Sequence, residues 1–293
     1  MSYASDQFEF LMEQRRKFLK EISAFTGLAL ITSAELCRGA PVSILGDQEN
    51  GDKDWGTIKG QLTFKGDIPD RSEVDLTKVE LTPGDLAWFK SMGPILNEDW
   101  VVDPKSRGVQ WVIVWLLPED ADSNRSAVLP VHDSLKAIEE KFVVIDQNPQ
   151  GYEPHAVAIR EGMGLKMRNE GPVPHVFNLT GFKNESFSKA MPPKSEIDVT
   201  DLKAERITNQ VTCPPHPWER MWLKIFDHPY FAVTDAEGRF EIKNAPAGKC
   251  RLVVWQESLG YKGGREGRYG QVIEVNGAQV TDLGEITIEA KTT

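Results

Sequence analysis

Cysteine is scarce in this chain. Three residues in 293, Cys37, Cys213 and Cys250, are too few and too scattered for a disulfide framework. Positive charge is also short, with 34 basic against 44 acidic residues and a formal charge of -10. That balance disfavours a sequence-independent grip on nucleic-acid phosphates or anionic lipid heads. No "HExxH" appears, and no serine stands in a glycine elbow. The glycine-rich "GYKGGREGRYG" (260–270) lacks the lysine-serine or lysine-threonine ending of a phosphate loop and precedes a strand, so it reads as a flexible turn. Paired acids such as Glu139 and Glu140 read as a solvated helix face.

The chain is long enough for one large or two modest domains, with the composition of a soluble globular protein. Near the N-terminus, "QRRKFLK" precedes the apolar run "EISAFTGLALITSA" (21–34), which is too short for a full membrane span. This resembles a twin-arginine export signal, with Arg15 and Arg16 as the pair, and it implies periplasmic or cell-surface localisation. Residues 1–34 are assigned to that signal and 35–54 to a polar linker. Leu36, directly before Cys37, argues against lipid attachment there.

From Trp55 the pattern has period two: "GTIKGQLTF" sets Ile58, Gly60, Leu62 and Phe64 against polar neighbours, as a half-buried strand requires. Thr82, Pro83 and Asp85 suit the cap and first turn of a short helix, and a second is expected over 133–142. The run "VQWVIVWLL" (109–117) is β-branched and aromatic, favouring a buried strand. Strand signals then crowd at "FVVID", "HAVAI", "LKMRN", "HVFNL", "EIDV", "RITNQVTC" and "MWLKIFD", and continue to the C-terminus. Short strands broken by Gly, Pro and Asn predict an all-β chain, an antiparallel sandwich or barrel with two short helices.

The C-terminal stretch resembles the carboxypeptidase regulatory-like, transthyretin-type β-sandwich. Asp235, Gly238 and Phe240 form its hairpin motif, followed by Pro246, Ala247, Gly248 and "CRLVVW". The resemblance implies opening strands like "GTIKGQL" and "VQWVIVWL", which lie more than a hundred residues upstream. A second domain is therefore expected to interrupt the first: residues 55–139 plus 227–290 as a discontinuous sandwich, and 140–226 as the insert.

The insert carries "CPPHPWERM" (213–221), with His216 three places after Cys213. A thiolate beside two imidazoles favours copper, and with a long, weak axial contact it gives the blue-copper electron-transfer geometry. His175, in "NEGPVPHVF", is the best candidate for the second imidazole. Together these residues resemble a cupredoxin, a Greek-key β-barrel or sandwich, and in particular bacterial cupredoxin-like proteins that join this loop directly to a regulatory-like module. The resemblance implies one mononuclear copper held by His175, Cys213 and His216. For the axial position it leaves two candidates. Met221, five places after His216, is preferred for its softness, although it also alternates with Leu223 and Ile225 as a core residue would. Glu219, three places after, would offer a hard charged oxygen.

Cys250, within an apolar strand, reads as a buried inert thiol. His228 reads as a hydrogen-bonding residue at the junction of the two domains, and His155 as a partly exposed one at a strand start; His132 has no assigned role. The resemblance implies a non-enzymatic carrier of single electrons between redox partners, with His216 and its flanking Pro214, Pro215, Pro217 and Trp218 offering a docking face. The alternatives are a metal-free cell-surface scaffold of two sandwiches, and copper delivery or storage. Neither nucleic acid nor a membrane span in the mature chain is expected.

Overall fold

The structure is a computed structural model that describes residues 53–124 and 126–290. The expected export signal, nearly all of the linker, and Cys37 lie outside the described residues. Among the described residues no helix is long and apolar enough to cross a membrane.

The chain runs through β1 (Trp55–Phe64), α1 (Pro83–Ser91), β2 (Ile113–Pro118), β3 (Phe142–Asn148), β4 (Gly151–Glu153), β5 (Ala156–Arg160), β6 (Gly164–Asn169) and β7 (His175–Leu179). It continues through β8 (Phe187–Met191), β9 (Ser195–Val199), β10 (Asn209–Thr212), β11 (Arg220–Phe226) and β12 (Phe231–Val233). β13 (Arg239–Pro246), β14 (Gly248–Gln256), β15 (Gly260–Tyr261), β16 (Gln271–Val275) and β17 (Val280–Ile288) complete it. The architecture is all-β with short helical segments. The helix expected after Thr82 forms, with Thr82 Oγ1 accepting from the Asp85 N–H at 3.1 Å. The helix expected over 133–142 narrows to a 3-10 turn at Asp133–Leu135, because the chain leaves it to enter β3 at Phe142. His132 caps that turn, its Nδ1 accepting from the Ser134 N–H.

The strands form four open sheets, ordered β13-β1-β17, β12-β2-β14-β15 with β16 also on β14, β5-β11-β10-β7-β8, and β4-β3-β6-β9. The first two draw on residues 55–118 and 231–288, and the other two on 142–226. They are not purely antiparallel as the strand spacing predicts: β1 with β17, β3 with β6 and β5 with β11 pair in parallel. Spacing reports strand length, whereas direction depends on which distant strands meet.

Ile58, Leu62, Val114, Leu116, Leu252 and Val254 belong to the core of the first pair of sheets. Ile145, Leu165, Phe177, Val211, Met221 and Leu223 belong to that of the second. A third cluster joins Ile113, Trp115, Val253 and Trp255 to Ala156 and Phe226. Alternate residues of β2 and β14 thus enter different clusters, so both faces of that sheet are covered, which explains the near-continuous apolar run where a half-exposed strand would alternate. Lys224 lies in this third layer, donating through Nζ to the Glu205 and Ile207 carbonyls, with its ammonium 5.5 Å from the Trp115 ring centroid and 5.3 Å from that of Phe226.

The Asp235 to Phe240 motif is a corner rather than a hairpin, because β12 and β13 belong to different sheets. Asp235 Oδ1 accepts from the Glu237 and Arg239 N–H groups, and the Gly238 carbonyl accepts from the Leu62 N–H at 2.7 Å. Gly238 sits at φ 77°, and a Cβ there would lie 2.2 Å from the Leu62 carbonyl oxygen. Gly238→Ala should therefore lower unfolding stability by at least the ~1–3 kcal/mol of left-handed strain, measurable by urea denaturation.

Candidate metal centre

His175 and Cys213 are 38 residues apart, and one strand pairing joins them. β10 pairs antiparallel with β7 through Val211 with Leu179 and Thr212 with Asn178. The end of β7 is therefore paired with the end of β10, and the start of β7 runs on beside the loop that follows β10. The turn before β7 is held by Asn169, whose amide donates to the Val173 and Met191 carbonyls at 2.8 and 3.1 Å and whose Oδ1 accepts from the Gly171 N–H. The Val176 N–H donates to Cys213 Sγ at 3.3 Å.

The loop after β10 closes on itself. The His216 N–H donates to the Cys213 carbonyl, the Glu219 N–H to the His216 carbonyl, and the Cys213 N–H to the Glu219 carbonyl, at 2.9 to 3.0 Å. Glu219 thus returns beside Cys213 before β11 begins. His175, Cys213, His216 and Glu219 are all buried, with one donor atom from each lying within 4.8 Å of the others. Both imidazoles present Nδ1: the two nitrogens are 3.1 Å apart, and Cys213 Sγ lies 3.9 Å from that of His175 and 3.5 Å from that of His216. Glu219 Oε2 is 2.9 Å from His175 Nδ1 and 3.3 Å from His216 Nδ1.

This donor set fits a metal ion. A tetrahedral ion bound at ~2.0–2.2 Å to nitrogen and oxygen and ~2.3 Å to sulfur separates its donors by roughly 3.3–3.6 Å, close to the spacings above. Glu219 Oε1 and His175 Nε2 are buried without hydrogen-bond partners, and only one proton can lie between the two Nδ1 atoms. Burial and the neighbouring Glu219 charge push the Cys213 thiol up to about 12. Burial also pushes the Glu219 carboxyl upward, yet the hydrogen bonds and charges of His175 and His216 outweigh it and hold Glu219 below the usual carboxylate range. A cation here would form the thiolate and release its proton.

Glu219 supplies the fourth polar donor, and Met221 packs in the apolar core of the second pair of sheets, opposite Val211. Pairing with Val211 sets Met221 on the inward face of β11, whereas Glu219 still lies in the loop, where the backbone turn directs it to the histidines. The expected His216 docking face is also altered. His216 is 2% exposed, covered by Phe89 of α1 and by Trp218, whose rings lie 5.0 and 5.4 Å from the imidazole. Pro214, Pro215 and Pro217 are exposed, and Trp88 and Trp218 are half-buried. Two neighbours escape a reading of the ligand motif alone. Phe89 comes from a distant connection with no local signal. Gln147 is a polar residue two places from Ile145 on the inward face of β3, a break in the apolar pattern that marks it.

His228 is half-buried, its Nδ1 accepting from the Tyr230 N–H, and desolvation of the ring pushes its pKa down to about 4. Cys250 is buried in the core of the first sheet pair. His155 is 2% exposed rather than partly exposed. It lies between Glu257, at 2.6 Å from Nε2, and Glu98, whose 3.2 Å contact with Nδ1 is ionic and out of line for a hydrogen bond. Glu257 also accepts from Trp222 Nε1 and Arg220 Nε, and Arg220 pairs with Asp99.

No family model matches the chain, and no curated protein matches it. Solved structures similar to part of it include a reduced tryptophan-to-tyrosine mutant of amicyanin, at 20% identity over 30% of this chain and 85% of that chain, with a TM-score of 0.27. A Cu(I) methionine-to-alanine amicyanin mutant is similar at 19% identity over 30% and 85%, with a TM-score of 0.26. A purple cupredoxin from Nitrosopumilus maritimus is similar at 15% identity over 28% and 97%, with a TM-score of 0.24. Likeness at this level assigns no function to the chain.

Burial alone would lower the His155 pKa, but Glu257 and Glu98 outweigh it and raise the value to about 9. A raised folded value means that this stabilisation is complete below the unfolded value of ~6.5 and is lost as pH rises towards 9. Lys224, pushed down to about 8 by burial, acts in the opposite sense above that pH. Unfolding free energy should therefore fall between pH 6.5 and 8 by up to ~1.4 kcal/mol per pH unit. The fall should be absent in His155→Asn, as measured by urea denaturation across pH.

Proposed function

We propose that residues 140–226 form a cupredoxin-like domain, inserted in a carboxypeptidase regulatory-like sandwich of 55–139 plus 227–290, and that the protein carries single electrons between redox partners outside the cytoplasm. The observation that carries this reading is the meeting of His175, Cys213, His216 and Glu219 donors around one buried point. His175, Cys213 and His216 are the strong ligands in this assignment, and Glu219 takes the fourth place instead of Met221.

Copper in such a ligand set supplies a one-electron couple between its cupric and cuprous states. The chain's contribution is to hold four donors in place and keep water away. His175 is fixed by β7, Cys213 by the end of β10, and His216 and Glu219 by the backbone bonds of the loop. Glu219 adds a hard anionic oxygen, which favours the cupric ion and lowers the potential relative to a thioether. Burial of all four residues supports a carrier over an enzyme, since a substrate would need a path to the ion. A redox partner would approach the surface of Pro214, Pro215, Pro217 and Trp218, with Phe89 and Trp218 lying over His216. Small, weak docking suits fast exchange.

Adding Cu(II) to the purified protein should produce an intense visible thiolate-to-copper band that saturates at one equivalent, with a reversible one-electron couple in voltammetry. Cys213→Ala should abolish the band, Met221→Leu should retain it, and Glu219→Gln should raise the potential. A colourless native protein would leave the metal-free scaffold; a coloured one with no reversible couple would favour copper delivery or storage.

A further inference from the structure

Gln147 is 3% exposed and lies on β3, outside the two segments that supply the donors. Its Nε2 donates to Glu219 Oε2 at 2.6 Å, shorter than that oxygen's contacts with either histidine. Tyr152, the cross-strand partner of Gln147 on β4, is buried beside it, and burial raises its phenol well above its usual range, so it stays neutral. The Gln147 Oε1 has no hydrogen-bond partner. A buried amide with one end unpaired incurs a desolvation cost, so the bond made by its other end is the contact that this position provides.

The geometry points to Gln147 as the positioning residue that limits how strongly Glu219 donates to a bound ion, an inference that rests on the copper reading above. Glu219 Oε2 faces two imidazole nitrogens as well as the amide. When both Nδ1 atoms serve an ion they cannot also donate protons to the carboxylate, because each then offers its lone pair. Gln147 keeps its proton in either state. Its bond withdraws charge from Oε2 and holds that oxygen in place, as hydrogen-bond partners behind metal ligands commonly do. Loss of the donor leaves a more basic carboxylate, which stabilises the higher oxidation state more than the lower.

The test compares native protein with Gln147→Met, a replacement of similar length that has no donor. Both are loaded with one equivalent of Cu(II), and their melting temperatures and copper stoichiometry confirm that the fold and site persist. The ratio of cupric to cuprous affinity should rise roughly tenfold, a fall of about 59 mV for a one-electron couple, with a shift of the thiolate-to-copper band. In a Glu219→Gln background the same replacement should leave the potential unchanged. Gln147→Leu, equally without a donor, repeats the comparison should Gln147→Met fail to fold. An unchanged potential in a coloured Gln147→Met protein overturns the inference and leaves the copper site intact. An equal shift in the Glu219→Gln background also overturns it, since Gln147 would then act by another route. Native protein that stays colourless with copper overturns both.

Discussion

The antiparallel pairing of β7 with β10 is the constraint on which the candidate site depends. It sets His175 beside Cys213, and the Val176 N–H, donated to Cys213 Sγ, ties the two strands at the sulfur itself. Without that pairing the loop after β10 would still bring Cys213 and His216 together, since they are three residues apart. It would lack the second imidazole, and a thiolate with one imidazole does not define a trigonal plane. The pairing is in turn held by apolar burial, with Phe177, Leu179 and Val211 all in the same core.

The loop provides a second constraint through its backbone. Three hydrogen bonds among Cys213, His216 and Glu219 fold the seven residues 213–219 into a closed turn, with the prolines exposed. This turn sets a carboxylate beside the thiol and the two imidazoles. It brings residue 219 back toward residue 213, while Met221, already on β11 and paired with Val211, is committed to the core. The chain thus places a hard anion beside the soft thiol, and Gln147 donates to that anion.

The cover is built by residues far from the ligands in sequence. Phe89 arrives on a helix in the connection between β1 and β2, packing with Ile95, Val173 and Trp218. Gly171, in the turn before His175, leaves room for Trp88, whose ring would lie 3.1 Å from a Cβ there. Ala156 of β5 and Phe226 of β11 meet β2 and β14 through Trp115 and Trp255. The sheet of β2 and β14 is therefore apolar on both faces, and a buried imidazolium, His155, is accommodated between Glu98 and Glu257.

Local pattern was enough for most of the strands and for the site's soft donors. Alternation marked β1 and β11, Thr82 and Pro83 marked the start of α1, and the family resemblance carried by "CPPH" with "NEGPVPH" implied three donors. These signals are legible because side-chain period and cap chemistry depend on neighbours a few residues away, and ligand softness on the donor atom itself. The sequence by itself determined that the chain is rich in strands and that a thiol and imidazoles were available for a soft ion. Only the tertiary structure decided which strands run parallel, that the Asp235 motif turns a corner between sheets, that Glu219 joins the histidines while Met221 enters the core, and that Phe89 seals His216. Most of these depend on contacts between segments tens of residues apart or more, as with His175 and Glu219 or Phe89 and His216, and no local propensity encodes such meetings.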